Sequence, residues 1–255
     1  MPCYGPLTGY YSAEVSSTGK RPITFDKKKA FSGVAICLPC GRCIGCRLER
    51  SRQWAVRLMH ENRMHRDSCF VTLTYDNEHL PEGGTLVKRD FQLFMKRLRK
   101  VKVEGVRFYA CGEYGEYNAR PHYHALLFNC GFSDKLVHSK NGRGELLYTS
   151  DELHDMWPMG HNIIGDVSFE SAAYVARYCV KKVTGKGSDE HYSVVDGDGR
   201  IFTRIPEFAL MSRRPGIGAS YYEKYGKEVR SHDSVIVNGK EAPVTLSIIL
   251  IYDLV

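Results

Sequence analysis

Three groups of residues in this 255-residue chain have types and spacings that could do chemistry. The first is His122-Tyr123-His124. In a strand, residues two apart share a face, so both imidazoles project together at a separation suited to gripping one cation. Tyr123 and Ala125 point the other way, toward the opposite layer. Glu113 stands on a preceding strand-like run and could complete a three-ligand site across the ladder. Two imidazoles and a carboxylate suit a divalent ion such as Mn²⁺, or Mg²⁺ if the ion also takes oxygen from a substrate phosphate. Glu116 competes as third ligand but falls in the connection between the two runs. An isolated His-x-His is a weak signal, because two histidines satisfied by backbone or water give the same pattern.

The second group is Tyr174 and Tyr178. Four residues apart on a helix, both hydroxyls lie on one face. A phenol with a pKa of about 10 is a poor nucleophile at neutral pH. A nearby metal, a lysine and a bound phosphate could stabilise the phenolate, and Lys181 and Lys182 follow within a turn. Half-buried packing is the commoner fate of helical aromatics. The third group is cysteine. Four of the nine sit in one block, Cys37, Cys40, Cys43 and Cys46. Cys-x-x-Cys steps suit a tetrahedral ion and point to a structural zinc. Four at strict three-residue spacing are crowded, so Cys3 is a candidate to replace one. An iron–sulfur cluster or a metal-free block of thiols are the alternatives.

Positioning these groups requires particular elements. Apolar residues at mixed helical spacings predict a helix over 44–66, whose other faces carry Arg47, Arg50, Arg52, Arg57, Arg63 and Arg66, a bias that favours phosphate contact. CFVTLTY (69–75) alternates and predicts a strand. Phe91, Phe94, Met95 and Leu98 form the stripe of a helix over 90–102. RFYACGEYG (107–115) and RPHYHALLF (120–128) predict two strands whose short connection makes them an antiparallel hairpin. A short helix over 150–157 has Thr149 and Glu152 spaced as a capping box. HNIIGDVS (161–168) reads as a strand and FESAAYVARYCVKK (169–182) as a helix. Residues 1–36 read as a loop-rich arm.

This order predicts an α+β fold with a central antiparallel sheet flanked by helices and a Cys-rich N-terminal extension. The expected division is an arm and basic helix over 1–66, a core over 67–185 and a C-terminal extension over 186–255. The net charge of +7 suits a polyanionic partner without requiring one. No run of eighteen apolar residues and no signal-peptide pattern is seen, so a cytoplasmic protein with no membrane partner is expected. No P-loop of the G-x-x-x-x-G-K-[ST] type is present.

FVTLTYDNEHLP, CGEYGEYNARPHYHALLF and YVARYCVKK, in that order, resemble the three motifs of the HUH rolling-circle replication initiators. The resemblance is nearest to those of the microviruses, small single-stranded DNA phages, and within them the gokushovirus-like group. PCGRCIGCRLERSRQW and SRRPGIG also resemble that group, and the likeness spans about residues 1–243. It implies a ferredoxin- or RRM-like sheet, with His122, His124 and Glu113 as metal ligands and Tyr174 and Tyr178 as nucleophiles. Thr72 and Thr74 fall in the first motif. It further implies nicking and rejoining of single-stranded DNA at a phage origin through a 5′-phosphotyrosine, in the bacterial host's cytoplasm with a host helicase and polymerase. A plasmid relaxase or HUH transposase shares the chemistry, though single-tyrosine versions leave one tyrosine unexplained. A non-catalytic, zinc-stabilised single-stranded nucleic-acid-binding protein is a third reading. After Ala242 the apolar run PVTLSIILIYDLV departs from the resemblance, and exposed β-prone residues there would be an aggregation risk.

Overall fold

The computed structural model describes residues 3–102, 105–178, 182, 183, 185, 187–232, 234–237 and 239–243. The apolar run over 246–252 lies outside them. The chain divides into two compact units, Met1–Arg50 and Ser51–Val255.

The first unit holds β1 (Leu7–Tyr11), β2 (Ile23–Thr24) and β3 (Ile36–Leu38), a small antiparallel sheet in the order β2-β1-β3. The region expected to be a loop-rich arm is therefore a folded sheet. Its strands are too short for alternation to register in sequence. The helix α1 (Ile44–Asn62) begins in this unit, and its residues from Ser51 onward belong to the second.

The second unit is built on β4 (Ser68–Thr74), α2 (Lys88–Val101), β5 (Arg107–Tyr114), β6 (Pro121–Phe128), β7 (Leu136–Lys140), β8 (Leu146–Thr149), α3 (Asp151–Met156), β9 (Asn162–Gly165) and α4 (Phe169–Tyr178). There follow α5 (Ser188–Tyr192), β10 (Ser193–Val195), β11 (Ile201–Thr203), β12 (Phe208–Met211), α6 (Ala219–His232), β13 (Ser234–Val237) and β14 (Lys240–Pro243). Seven strands form one sheet in the order β12-β5-β6-β4-β9-β8-β7, with every pairing antiparallel. Within it, β4-α2-β5-β6-α3-β9 is a β-α-β-β-α-β unit whose strands lie in the order second, third, first, fourth, the ferredoxin-like arrangement.

Strand alternation assigns the two faces. Cys69, Val71 and Leu73 of β4 and Tyr123, Ala125 and Leu127 of β6 are buried in one cluster with Phe91, Phe94, Met95 and Leu98 of α2 and with Leu153 and Met156 of α3. Each such large side chain contributes about 1.5–3 kcal/mol by leaving water. Tyr109, Cys111, Leu126 and Phe128 face the other way, against Ala55 and Leu58 of α1 and Ala172, Val175 and Ala176 of α4. Both crossover helices thus cover one face, and α1 and α4 cover the other.

Several boundaries differ from the sequence expectation. The cap of α3 is Ser150 and not Thr149: Ser150 Oγ accepts from the Leu153 amide at 3.1 Å, which leaves Glu152 free to pair with Lys102 at 2.7 Å. The helix expected over 169–182 is described as far as Tyr178, and residues 179–181 lie outside the described residues. Lys182 lies outside the helix, and the Val183 amide donates to the Tyr192 hydroxyl at 3.1 Å. From Ser51 onward α1 packs on the sheet, and β12 supplies the edge strand of that sheet. Arg57 of α1, expected among phosphate-contacting arginines, instead donates to the Ile217 carbonyl and lies over the Trp54 ring.

Candidate active site

The β5–β6 hairpin sets Glu113 opposite His122 and Cys111 opposite His124. Because β6 places His122, His124, Leu126 and Phe128 on one face, both imidazoles fall on the side of the sheet that carries α4. Glu113 Oε1 lies 2.7 Å from His122 Nε2 and 3.1 Å from His124 Nε2. One ligand atom from each of the three residues lies within 4.8 Å of the others. Glu116 is exposed in the turn and is not one of this group.

The outer ring nitrogens are held from behind. His122 Nδ1 sits 3.0 Å from the Arg120 carbonyl, and His124 Nδ1 sits 2.9 Å from the Thr72 hydroxyl. A carbonyl only accepts, so His122 carries a proton on Nδ1. A neutral His122 then turns the lone pair of Nε2 toward a carboxylate oxygen 2.7 Å away. A proton or a metal ion between the two atoms satisfies that contact. Glu113 is 3% exposed, and its Oε2 is buried without a hydrogen-bond partner among the described residues. An orphaned carboxylate oxygen beside two inward-turned Nε2 atoms fits a divalent cation. Burial alone would raise the Glu113 carboxyl, but hydrogen bonding to His122 and His124 outweighs it and holds the group below the ordinary carboxylate range.

Tyr174 projects from α4 over this site. Its ring meets the His124 ring edge-on at 5.1 Å and the Phe70 ring at 6.5 Å. It remains 41% exposed. Tyr178 is four residues further on the same helix, and its side chain lies outside what the structure describes, as does Lys181. Lys182 is exposed beyond the helix end. Sequence reasoning missed the β7–β8 hairpin, which walls the groove beside Tyr174. The Asn-Gly-Arg-Gly run at 141–144 between apolar flanks was the signal that could have found it.

In the first unit, the structure corrects the cysteine set. Cys3, Cys40, Cys43 and Cys46 come together, with Sγ–Sγ distances of 3.9 Å for Cys40–Cys46 and for Cys43–Cys3. Cys37 is exposed on β3 opposite Thr8, because its strand pairing turns it away. Zn–S bonds of about 2.3 Å place tetrahedral sulfurs about 3.8 Å apart. Amides of Cys40 and Cys43 also point at Sγ of Cys3 and Cys40, both at 3.3 Å. Hydrogen bonds from the Tyr4 and Cys46 amides pull the Cys43 thiol down to about 6. The donors and spacing fit a structural metal.

The fold is thus an α+β sheet that carries a His-His-Glu cluster beside Tyr174 of α4. The family described as replication-associated protein ORF2/G2P matches residues 68–183. The chain is 34% identical to replication-associated protein VP4 of Bdellovibrio phage phiMH2K, across 96% of this chain and 75% of that one. It is 33% identical to replication-associated protein ORF2 of Spiroplasma virus 4, across 79% and 62%. It is 28% identical to replication-associated protein ORF4 of Chlamydia phage 1, across 79% and 50%. No solved structure matches the chain. The chain belongs to the replication-associated protein family of the microviruses.

Proposed function

We propose that this chain initiates rolling-circle replication by nicking and rejoining single-stranded phage DNA at an origin. The observation that carries the reading is the Tyr174 ring set against His124, within the cluster where Glu113 Oε2 is orphaned. Glu113, His122 and His124 would hold Mg²⁺ or Mn²⁺. Such an ion, when bound, polarises the scissile phosphate and offsets charge gathering on its oxygens. The phenolate oxygen of Tyr174 or Tyr178 attacks phosphorus. The bond to the 3′-oxygen breaks, and that oxygen takes up a proton as a free 3′-OH that primes synthesis. The 5′-phosphate stays on the tyrosine. Attack by a 3′-OH reverses the step, so one phosphodiester replaces another and no external energy is consumed. The second tyrosine opens the regenerated junction while the first is still linked. Lys182 is proposed to stabilise the phenolate or the leaving oxygen.

We further propose that Cys3, Cys40, Cys43 and Cys46 hold a structural Zn²⁺. A host helicase and polymerase would act with the chain in the bacterial cytoplasm. No helix among the described residues is long and apolar enough to cross a membrane.

The test is a labelled single-stranded origin oligonucleotide incubated with Mn²⁺ and run on a denaturing gel. A covalent adduct is expected with the native chain and with either single Tyr→Phe variant. None is expected with Tyr174→Phe combined with Tyr178→Phe. An adduct in that double variant, or none with the native chain, overturns the reading.

A further inference from the structure

Beside Tyr174 lies a groove of about 440 Å³, within the range of about 300–1,000 Å³ that holds small ligands. Its lining includes Phe70, Leu146, Leu147, Ile163 and Gly165, all apolar. Phe70 stacks on the His124 ring at 5.5 Å, so the groove wall continues directly into the metal cluster. Among the described residues the charged part of the lining is mostly acidic: Glu145, Asp166 and Glu170 beside Arg143. The turn of the β7–β8 hairpin holds Glu145 in place. Asn141 Nδ2 donates to Glu145 Oε2 at 2.6 Å, and Asn141 Oδ1 accepts from the Glu145 amide at 3.0 Å.

We infer that this groove seats one unpaired base next to the scissile phosphate and selects an amino-bearing base over thymine. The inference rests on the nicking reading above. Three carboxylates around one guanidinium disfavour a second phosphate at that rim, so the scissile phosphate keeps to the His124–Tyr174 end of the groove and a neutral base takes the rest. The apolar lining and the Phe70 ring take a base π-face, a contact that every base can make. Carboxylates only accept hydrogen bonds. Cytosine, adenine and guanine each present an exocyclic amino donor to such an acceptor, whereas thymine presents two carbonyls beside a single N–H. Arg143 is left to meet a neighbouring phosphate or a base carbonyl at the mouth. The hairpin is therefore a specificity element fitted to the edge of a nuclease sheet.

The experiment uses the full chain with Mn²⁺ and a random single-stranded DNA pool carrying fixed flanks. Covalently linked and released fragments are both sequenced. Thymine should be depleted about tenfold at one position adjoining the linked phosphate. Glu145→Gln combined with Asp166→Asn should relax the depletion to within about twofold while adducts still form. Gly165→Val should cut adduct yield on every sequence: a Cβ there meets Leu147 Cδ2 and Phe70 Cδ1 at 3.6 Å, so its methyls fill the groove without breaking the strand. Adducts with thymine tolerated at every flanking position, or a depletion unchanged in the double variant, overturn the inference and leave the nicking reading intact. If no adduct forms, the nicking reading fails and base seating is read by photo-crosslinking of single strands containing 5-iodo-deoxycytidine. Links to Phe70 or to the Leu146–Leu147 peptide then support the seat, and links confined to other segments overturn it.

Discussion

Thr72 fixes the His124 ring through one hydrogen bond, and that makes it a positioning residue for any ion on Nε2. Replacing it with valine keeps the shape and removes the hydroxyl. Thr72→Val should weaken Mn²⁺ binding about 10–100-fold, read by electron paramagnetic resonance titration of free Mn²⁺ without DNA. An unchanged affinity would show that Thr72 does not act through His124. At the cysteine cluster, Cys3→Ser should lower bound zinc per chain and Cys37→Ser should not, measured by elemental analysis of protein purified without chelator. Equal zinc in both variants would reinstate Cys37. The contrast shows what spacing can tell. His122, His124 and Glu113 were legible because a period of two and a short hairpin fix their common face. Thr72's role was not, because it depends on the register between β4 and β6. Cys3 joined the cluster from 37 residues before Cys40, whereas even spacing alone drew in Cys37.

Among the elements, α1 is tied to the segment before α6 by one buried carboxylate. Glu61 takes hydrogen bonds from Arg107, from the Gly218 amide and from His65 at 3.1 Å. Burial raises its carboxyl, but Arg107, Gly218 and His65 together prevail and hold it below its ordinary value. Arg107 also donates to the carbonyls of Pro215 and Gly216 at 3.0 and 2.9 Å. The SRRPGIG stretch is therefore clamped into the fold by α1 and β5. Glu61→Gln leaves the guanidinium without its counter-charge and should cost about 3–5 kcal/mol in urea unfolding. Adding Arg107→Met should recover part of that loss. Additive losses in the pair would mean that the two charges are not coupled. Elements with strong periodicity, such as α2 and β4, were legible. α6 was not, since it buries only Ala219, Tyr221, Gly226 and Val229, a stripe too poor in large aliphatics to read as amphipathic. β12 was missed because its four residues are only half-buried, and its pairing with β5 lies about a hundred positions away in the chain.

At the scale of the whole molecule, acid stability is set in part by His60. Its ring is 3% exposed and stacked on Tyr221 at 4.0 Å. Burial, with Arg63 adding to it, pushes its pKa down to about 4. The unfolded imidazole takes a proton at about pH 6.5 and the folded one resists. Stability is thus full above pH 6.5 and declines as pH falls toward 4, by on the order of 2–3 kcal/mol. Glu61, with its depressed carboxyl, adds a further loss only at lower pH, below the ordinary carboxylate range. His60→Phe keeps the stack and removes the proton site. Its urea midpoint should change much less between pH 7 and pH 5 than that of the native chain. Equal changes would exclude His60 as the cause. The edge strand β12 has its own consequence, for how such a chain could be moved or shortened. The segment 68–183 carries the cluster and α4 but ends before residue 208, so an excised version presents the open hydrogen-bonding edge of β5 to other chains. As a portable cassette in a fusion or chimera, the seven-stranded sheet would need its downstream strand to travel with it. Lineages that recombine this gene within 184–207 would be expected to keep the two halves matched at the β5–β12 seam.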